Sequence, residues 1–278
     1  MDDFNYGYVR NSKLDKTFTE FKVRSAFKSF GPHKAMGPDA IAPIVLQHFG
    51  PKAIAMVTKI MQASYSTGYI PLDWREARVV FIPKPKKEDY SLPGSFRPIA
   101  LMQFVFKAME RILEWHLQEH ETKIGKVSTM QHAYSGRRGT DTALSHLVDK
   151  VESAILRGQY ALVVSMDIKG AFDNLKTESI EEAMVRNEYP ELFRNWYSNF
   201  LRKRLVWAEV LGEKVLIQPT CGAPQGGCLS PRAWNITFDP LLQQLKDSGP
   251  CDPMAFADDI DLTFIGIDPN SLVRIAQP

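Results

Sequence analysis

Cysteine is scarce: the 278-residue sequence holds three, Cys221, Cys228 and Cys251, an odd number without CxxC spacing. That excludes both a disulfide framework and a zinc finger, and all three are expected as reduced thiols. No apolar stretch reaches the roughly 18 residues of a membrane span before a charge interrupts it. The N-terminal Met1-Asp2-Asp3-Phe4 lacks the basic, apolar character of a secretory leader. The expectation is therefore a soluble intracellular protein, with no membrane partner and with nucleus and cytoplasm undistinguished. Tandem repeats, glycine/serine linkers and low-complexity tracts are also missing, which excludes solenoids and disordered arrays. Charge of one sign is missing too, since the formal net charge is only +2. What remains is a chain with 44% hydrophobic residues, enough for one large domain or two packed subdomains.

The charge is unevenly placed. Between Arg75 and Arg111 eight basic residues (Arg75, Arg78, Lys84, Lys86, Lys87, Arg97, Lys107, Arg111) face four acidic ones, with further basic groups at Arg137-Arg138 and Arg202-Lys203-Arg204. Between Asp239 and Asp268 seven aspartates face one lysine, a balance suited to binding a cation rather than a phosphate. Helical signals run from 41 to 67 with a break at Gly50-Pro51. Ala77 to Pro83 reads as a short strand. Apolar residues at Met102, Val105, Phe106, Met109, Ile112 and Leu113, continued by His116, mark a long amphipathic helix. A second helix is expected over Thr140–Leu156, with Ala143, Leu144, Leu147, Val151 and Ile155 inward. Tyr160 to Met166 reads as a central strand that delivers Asp167 at its end. Helices near Glu178–Asn187 and Pro190–Leu201, a hairpin across Leu211-Gly212-Glu213, and a helix from Ser230-Pro231 to Gly249 follow. Two further strands flank Asp258-Asp259, which are expected to share a tight turn. The fold class is α+β.

Two acidic clusters carry the chemistry: Met166-Asp167-Ile168-Lys169-Gly170-Ala171-Phe172-Asp173 and Phe256-Ala257-Asp258-Asp259. Three carboxylates gathered by folding repel one another and raise their own pKa values, so a divalent cation is their natural partner. Two such cations about 4 Å apart are machinery for phosphoryl transfer. Alone, Asp-Asp in a hairpin is ordinary turn chemistry and Pro-Gln-Gly is only a turn. Here they occur in order: Ser95-Phe96-Arg97-Pro98-Ile99, the Asp167 cluster, Gly222-Ala223-Pro224-Gln225-Gly226-Gly227, and the Asp258 cluster. In that order the segments resemble the reverse transcriptases of non-LTR (LINE-type) retrotransposons. The resemblance covers residues 34 to 265 and includes Lys34-Ala35-Met36-Gly37-Pro38-Asp39 and Gln131-His132-Ala133-Tyr134, expected in the fingers along the template path.

The resemblance implies the fingers and palm of a right-hand polymerase: an N-terminal extension over 1–33, a fingers-rich part over 34–158 and a palm over 159–278. A small antiparallel palm sheet would be backed by helices, and the thumb would be absent, because 19 residues follow Asp259. By the same resemblance Asp167 and Asp258 would bridge two Mg2+ ions, with Mn2+ as substitute, the Ile168 carbonyl would complete one coordination shell, and Asp259 would support the site. Phe172 would be a steric gate against the ribose 2′-hydroxyl, while a core aromatic at a strand end is the plainer reading. Gln225 and Gly226 would approach nucleotide and template, Arg97 the triphosphate, and Lys84 more weakly the same phosphates. Partners would be an RNA template, a DNA primer, dNTP and the remainder of a retroelement polyprotein, including a thumb and an endonuclease. The fragment alone is expected to bind template-primer at low salt and to extend it poorly. Two other readings stand beside this: an inactive remnant that binds RNA through its basic segments, and a zinc peptidase built on the H-x-x-E-H pattern His116-Leu117-Gln118-Glu119-His120.

Overall fold

The computed structural model describes residues 14–125, 128–136 and 138–277. Along the chain run α1 (Leu14–Thr17), α2 (Glu20–Lys28), α3 (Pro43–Gln47), α4 (Pro51–Thr67), α5 (Leu72–Arg75), β1 (Glu76–Pro83), β2 (Phe96–Leu101) and α6 (Phe104–Ile124). Then come α7 (Thr140–Leu156), β3 (Tyr160–Asp167), α8 (Thr177–Arg186), α9 (Glu191–Lys203), β4 (Leu205–Val210) and β5 (Glu213–Ile217). The chain finishes with α10 (Ser230–Ser248), β6 (Cys251–Phe256), β7 (Asp259–Gly266) and α11 (Pro269–Ala276). The class is α+β, as the order of elements implies. Residues up to Gly125 together with Phe172–Ser230 form one compact unit; the chain between them and the chain after Ser230 form the other. Part of the expected N-terminal extension, residues 1–13, and Arg137 lie outside the described residues.

In the first unit the apolar stripe of α6 is buried as its spacing requires, through Phe106, Met109, Ile112, Leu113 and Leu117. Phe106 stacks on Trp196 of α9 with ring centroids 5.7 Å apart, and Trp196 Nε1 donates to Ser64 Oγ of α4 at 3.1 Å. The helix ends where Gly125 takes up a left-handed conformation that an L side chain resists. Beside the helices lies a four-stranded sheet in the order β2-β1-β4-β5. The β4–β5 hairpin turns through Leu211 and Gly212, both at positive φ. The β1–β4 pair is parallel, joining Glu76 to Leu205 and Arg78 to Trp207. Periodicity gives no sign of this pairing, because it joins segments about 130 residues apart.

The second unit is built on an antiparallel sheet in the order β3-β7-β6. Here β7 is central and β3, expected as the central strand, is at an edge. Its two adjacent valines imitate a strand buried on both faces, yet its residues are only half-buried or exposed. Helix α7 packs on all three strands, and of its five expected inward residues Ala143 is buried and Leu147 and Val151 are half-buried. Ala154 is buried as well, whereas the expected Leu144 is 62% and Ile155 64% exposed. Helix α11 packs on β3 and β7 and is capped by Asp268, whose carboxylate accepts from the Asn270 and Ser271 N–H groups. Among the described residues no helix is long and apolar enough to cross a membrane, and the three cysteines are unpaired.

Candidate active site

Asp167 is the last residue of β3 and Asp259 the first of β7, and the two are direct partners across the antiparallel ladder. Directly opposed residues share a sheet face. Two positions along, Ser165 Oγ donates to Asp261 Oδ1 at 2.5 Å on the same face. Asp258 stands beside this row, because the Ile168 N–H donates to the Asp258 carbonyl at 3.3 Å. The Asp167, Asp258 and Asp259 backbones are therefore brought together from segments 91 residues apart, with Asp261 as a fourth carboxylate that sequence reading missed.

The turn differs by one residue from the expected one. Phe256 pairs with Asp259, so the two-residue connection is Ala257-Asp258, and Asp259 already belongs to β7. Ala257 takes φ +59°, the positive angle of the first central position in a type II′ hairpin, where glycine is the usual residue. Side chains hold it there. The buried Gln131 accepts from the Ala257 N–H at 2.9 Å and donates to its carbonyl at 3.1 Å, and Trp234 Nε1 donates to the same carbonyl at 2.9 Å. Gln131 and His132, expected in the fingers, thus lie against β6 in the unit that carries the acidic turn, with Ala255 bridging to Gln131. Tyr134, three residues on and at φ +56°, is close enough to Asp258 that, after burial, the aspartate charge raises its phenol pKa.

The Asp259 carboxyl lies above the usual range, first through partial burial and then through Asp258, Asp167 and Asp261; every contribution raises it. This is a surplus of negative charge that a cation would relieve. The donors are all hard carboxylate oxygens, which suits a divalent ion of the magnesium type. Among the described residues no three such side chains are already gathered as a cage; Asp167 is exposed and Asp258 half-buried. The residues fit the ion by chemistry and by the placing of their backbones.

The five substrate-binding candidates lie in the first unit, tied by backbone contacts. Ile82 pairs with Arg97 across β1–β2, and Arg97 is exposed. Lys84, just after β1, donates from its ammonium to the Gly94 carbonyl at 3.0 Å. The Ala100 N–H donates to the Gln225 carbonyl at 2.8 Å. A Cβ on Gly226, at φ +120°, would come within 2.8 Å of the Ala100 oxygen, so glycine is required for this approach. The Phe172 carbonyl accepts from the Ala223 N–H at 2.8 Å, joining the candidate gate to the same loop. Gly37 explains another conspicuous motif: its Cβ would collide with the Met102-Gln103 backbone at 2.7 Å.

Two charged residues support this loop that sequence reading missed or assigned otherwise. Glu110, 0% exposed, accepts from the Cys228 N–H at 3.1 Å just before α10; a charge inside the apolar stripe of α6 was the available signal. Arg204, counted among the basic groups, is buried and donates to the Cys221 and Gly222 carbonyls, both at 2.6 Å. Its neighbour Arg202 pairs with Glu181 and Glu178. The zinc-peptidase pattern gathers no metal-binding group among the described residues, and the His120 ring packs edge-on against Tyr189.

The family described as reverse transcriptase (RNA-dependent DNA polymerase) matches residues 82–274. A putative 115 kDa protein in the type-1 retrotransposable element R1DM of Drosophila melanogaster is 31% identical over 199 residues, covering 72% of this chain and 19% of that protein. The Pol polyprotein from type-1 retrotransposable element R2 of Nasonia vitripennis is 30% identical over 183 residues, 65% of this chain and 17% of the relative. The RNA-directed DNA polymerase from the mobile element jockey of Drosophila melanogaster is 26% identical, over 77% of this chain and 23% of the relative. The chain spans about a fifth of the length of these relatives. With two-thirds of its residues under that match and its relatives drawn from non-LTR retrotransposons, the chain belongs to the reverse transcriptase family.

Proposed function

We propose that the chain contributes RNA-templated DNA synthesis, transferring a nucleotide from dNTP to a primer 3′-hydroxyl, as part of a longer retroelement polyprotein. The observation that carries this reading is the pairing of Asp167 with Asp259 beside the Ala257-Asp258 turn. In this reading Asp167, Asp258 and the Ile168 carbonyl hold two Mg2+ ions, which Mn2+ can replace, and Asp259 supports them. Bound there, the ions would lower the pKa of the primer hydroxyl and neutralise the departing pyrophosphate. The chain's own residues bind and orient. Arg97 offers a planar fork to triphosphate oxygens, and Lys84 adds charge near the end of β1. Gln225 presents its amide from a loop fixed on β2, and Phe172 restricts the sugar to deoxyribose. Fingers over 34–158 and palm over 159–278 are the functional subdomains of this reading.

The test is primer extension by the 278-residue chain on an RNA template with Mg2+ and dNTPs, including single-nucleotide addition under long incubation. Metal-dependent incorporation that disappears in Asp258→Ala supports the reading. RNA binding without any metal-dependent incorporation, in wild type and variant alike, would instead favour the RNA-binding remnant.

A further inference from the structure

The geometry points to Gln131 as a positioning residue: its side-chain amide brackets Ala257 and thereby sets where Asp258 stands. We infer this role from five bonds within one unit. Gln131 Oε1 accepts from the N–H of Ala257 and from that of Ala133, each at 2.9 Å. Its Nε2 donates to the Ala257 carbonyl at 3.1 Å. The backbone on either side of Gln131 is itself fixed on β6, since Ala255 N–H donates to the Met130 carbonyl at 2.9 Å and His132 N–H donates to the Ala255 carbonyl at 2.8 Å. Gln131 is 1% exposed, so water cannot substitute for its amide.

The bracket matters because of the residue it holds. Alanine has no intrinsic preference for φ +59°, and such a conformation persists only where its surroundings over-determine it. Asp258 follows directly, so rotation of the Ala257 peptide moves the Asp258 backbone relative to Asp167. Both polar groups of Ala257 are engaged by Gln131, and Trp234 alone supports only the carbonyl. A primary amide is suited to this task because it donates and accepts side by side. A carboxylate can only accept, and a thioether of similar length does neither well. Outer groups that orient metal-binding side chains are worth about 10- to 100-fold in metal affinity elsewhere, which sets the scale expected here.

The inference rests on the proposed metal role of Asp167 and Asp258, and Mn2+ alone serves as the probe. Its affinity for the 278-residue chain is measured by electron paramagnetic resonance at pH 5.5 and 7.5, for wild type, Gln131→Met and Gln131→Glu. Gln131→Met should bind Mn2+ about 10-fold or more weakly with unchanged circular dichroism. Gln131→Glu should approach wild type at pH 5.5, where a protonated carboxyl can donate to the Ala257 carbonyl, and fall about 10-fold behind at pH 7.5. Arg138, which donates to the Gln131 carbonyl at 3.2 Å, and the nearby His132, His146, Tyr134 and Asp258 are common to wild type and variant and cancel in the ratio. A ratio equal at both pH values, or one that favours the variant at pH 7.5, overturns the bracket. No Mn2+ binding by wild type overturns the metal reading itself, and this inference with it. Should Gln131→Met fail to fold, Gln131→Glu compared across the two pH values still decides.

Discussion

Replacing Glu110 by glutamine should remove a pH dependence of stability that can be calculated from its surroundings. Burial pushes this carboxyl up to about 7 from 4.5, against the Cys228 N–H, Lys107, the Leu229 N–H and Arg111, which all pull it down. Below pH 4.5 both folded and unfolded chains hold the proton. Between 4.5 and 7 the unfolded chain releases it while the folded chain keeps it, so stability falls as pH rises through that window. Above 7 both are ionised and the loss is complete. A displacement from 4.5 to about 7, at about 1.4 kcal/mol per unit, corresponds to about 3 kcal/mol. Glutamine keeps a carbonyl oxygen for the Cys228 N–H but carries no proton. The measurement is urea denaturation of both proteins from pH 4 to 8, followed by tryptophan fluorescence. Four of the five tryptophans, Trp74, Trp115, Trp196 and Trp207, belong to the unit that contains Glu110. Taking the difference between variant and wild type cancels the other titrations. The Cys228 thiol, pushed up to about 12 by burial and next by Glu110 itself, stays outside the window. The variant should gain about 3 kcal/mol on wild type between pH 4.5 and 7.5. A difference that stays flat across this range refutes the assignment of a buried, proton-holding carboxyl.

Gly226→Ala should destabilise the chain by about 2 to 4 kcal/mol, from a strained φ and a collision with the Ala100 carbonyl, and thermal unfolding would show it; an unchanged melting temperature would mean that the loop moves away without cost. Asp259→Asn should raise stability at pH 7 by a few tenths of a kcal/mol, since it relieves repulsion at an exposed site, and a loss of stability in urea would contradict the surplus of charge described above. Phe172→Ala should increase ribonucleotide use relative to deoxyribonucleotide in single-addition kinetics. Unchanged discrimination would return Phe172 to the reading of a core aromatic.

Much of the fold is legible because it is local. The stripe from Met102 to Leu113 gives α6, and the Thr140–Leu156 boundaries of α7 match the sequence limits. Asp167 at a strand end follows from the apolar run before it. The failures are matters of partner. The exposed Leu144 and Ile155, beside the buried Ala143 and half-buried Leu147 and Val151, show that periodicity fixes a helix and its inward side but not how wide a face the sheet covers. The one-residue shift of the acidic turn reflects Gln131, which lies 126 residues before the peptide it grips, so no local rule reveals it. Glycine at Gly226 announces a close approach, but only the fold identifies Ala100 as the neighbour. Glu110 was readable in principle as a charge on a buried helix face; Arg204 was hidden because a basic run looks the same whether it is solvated or buried.

The first unit is assembled from two stretches of chain, with residues of the second unit between them. Its aromatic core closes when Phe106 meets Trp196 and Phe200, so during synthesis the earlier helices wait for about 90 further residues to emerge. At roughly 5 to 20 residues per second, that is an interval of several seconds or more. Throughout it, the apolar stripe of α6 has no α9 to cover it. The second unit is delayed further, because β3 finds its partner only after β7 is made. The chain is thus committed to late, long-range closure, the topology associated with slow folding and with exposed intermediates that aggregate or recruit chaperones.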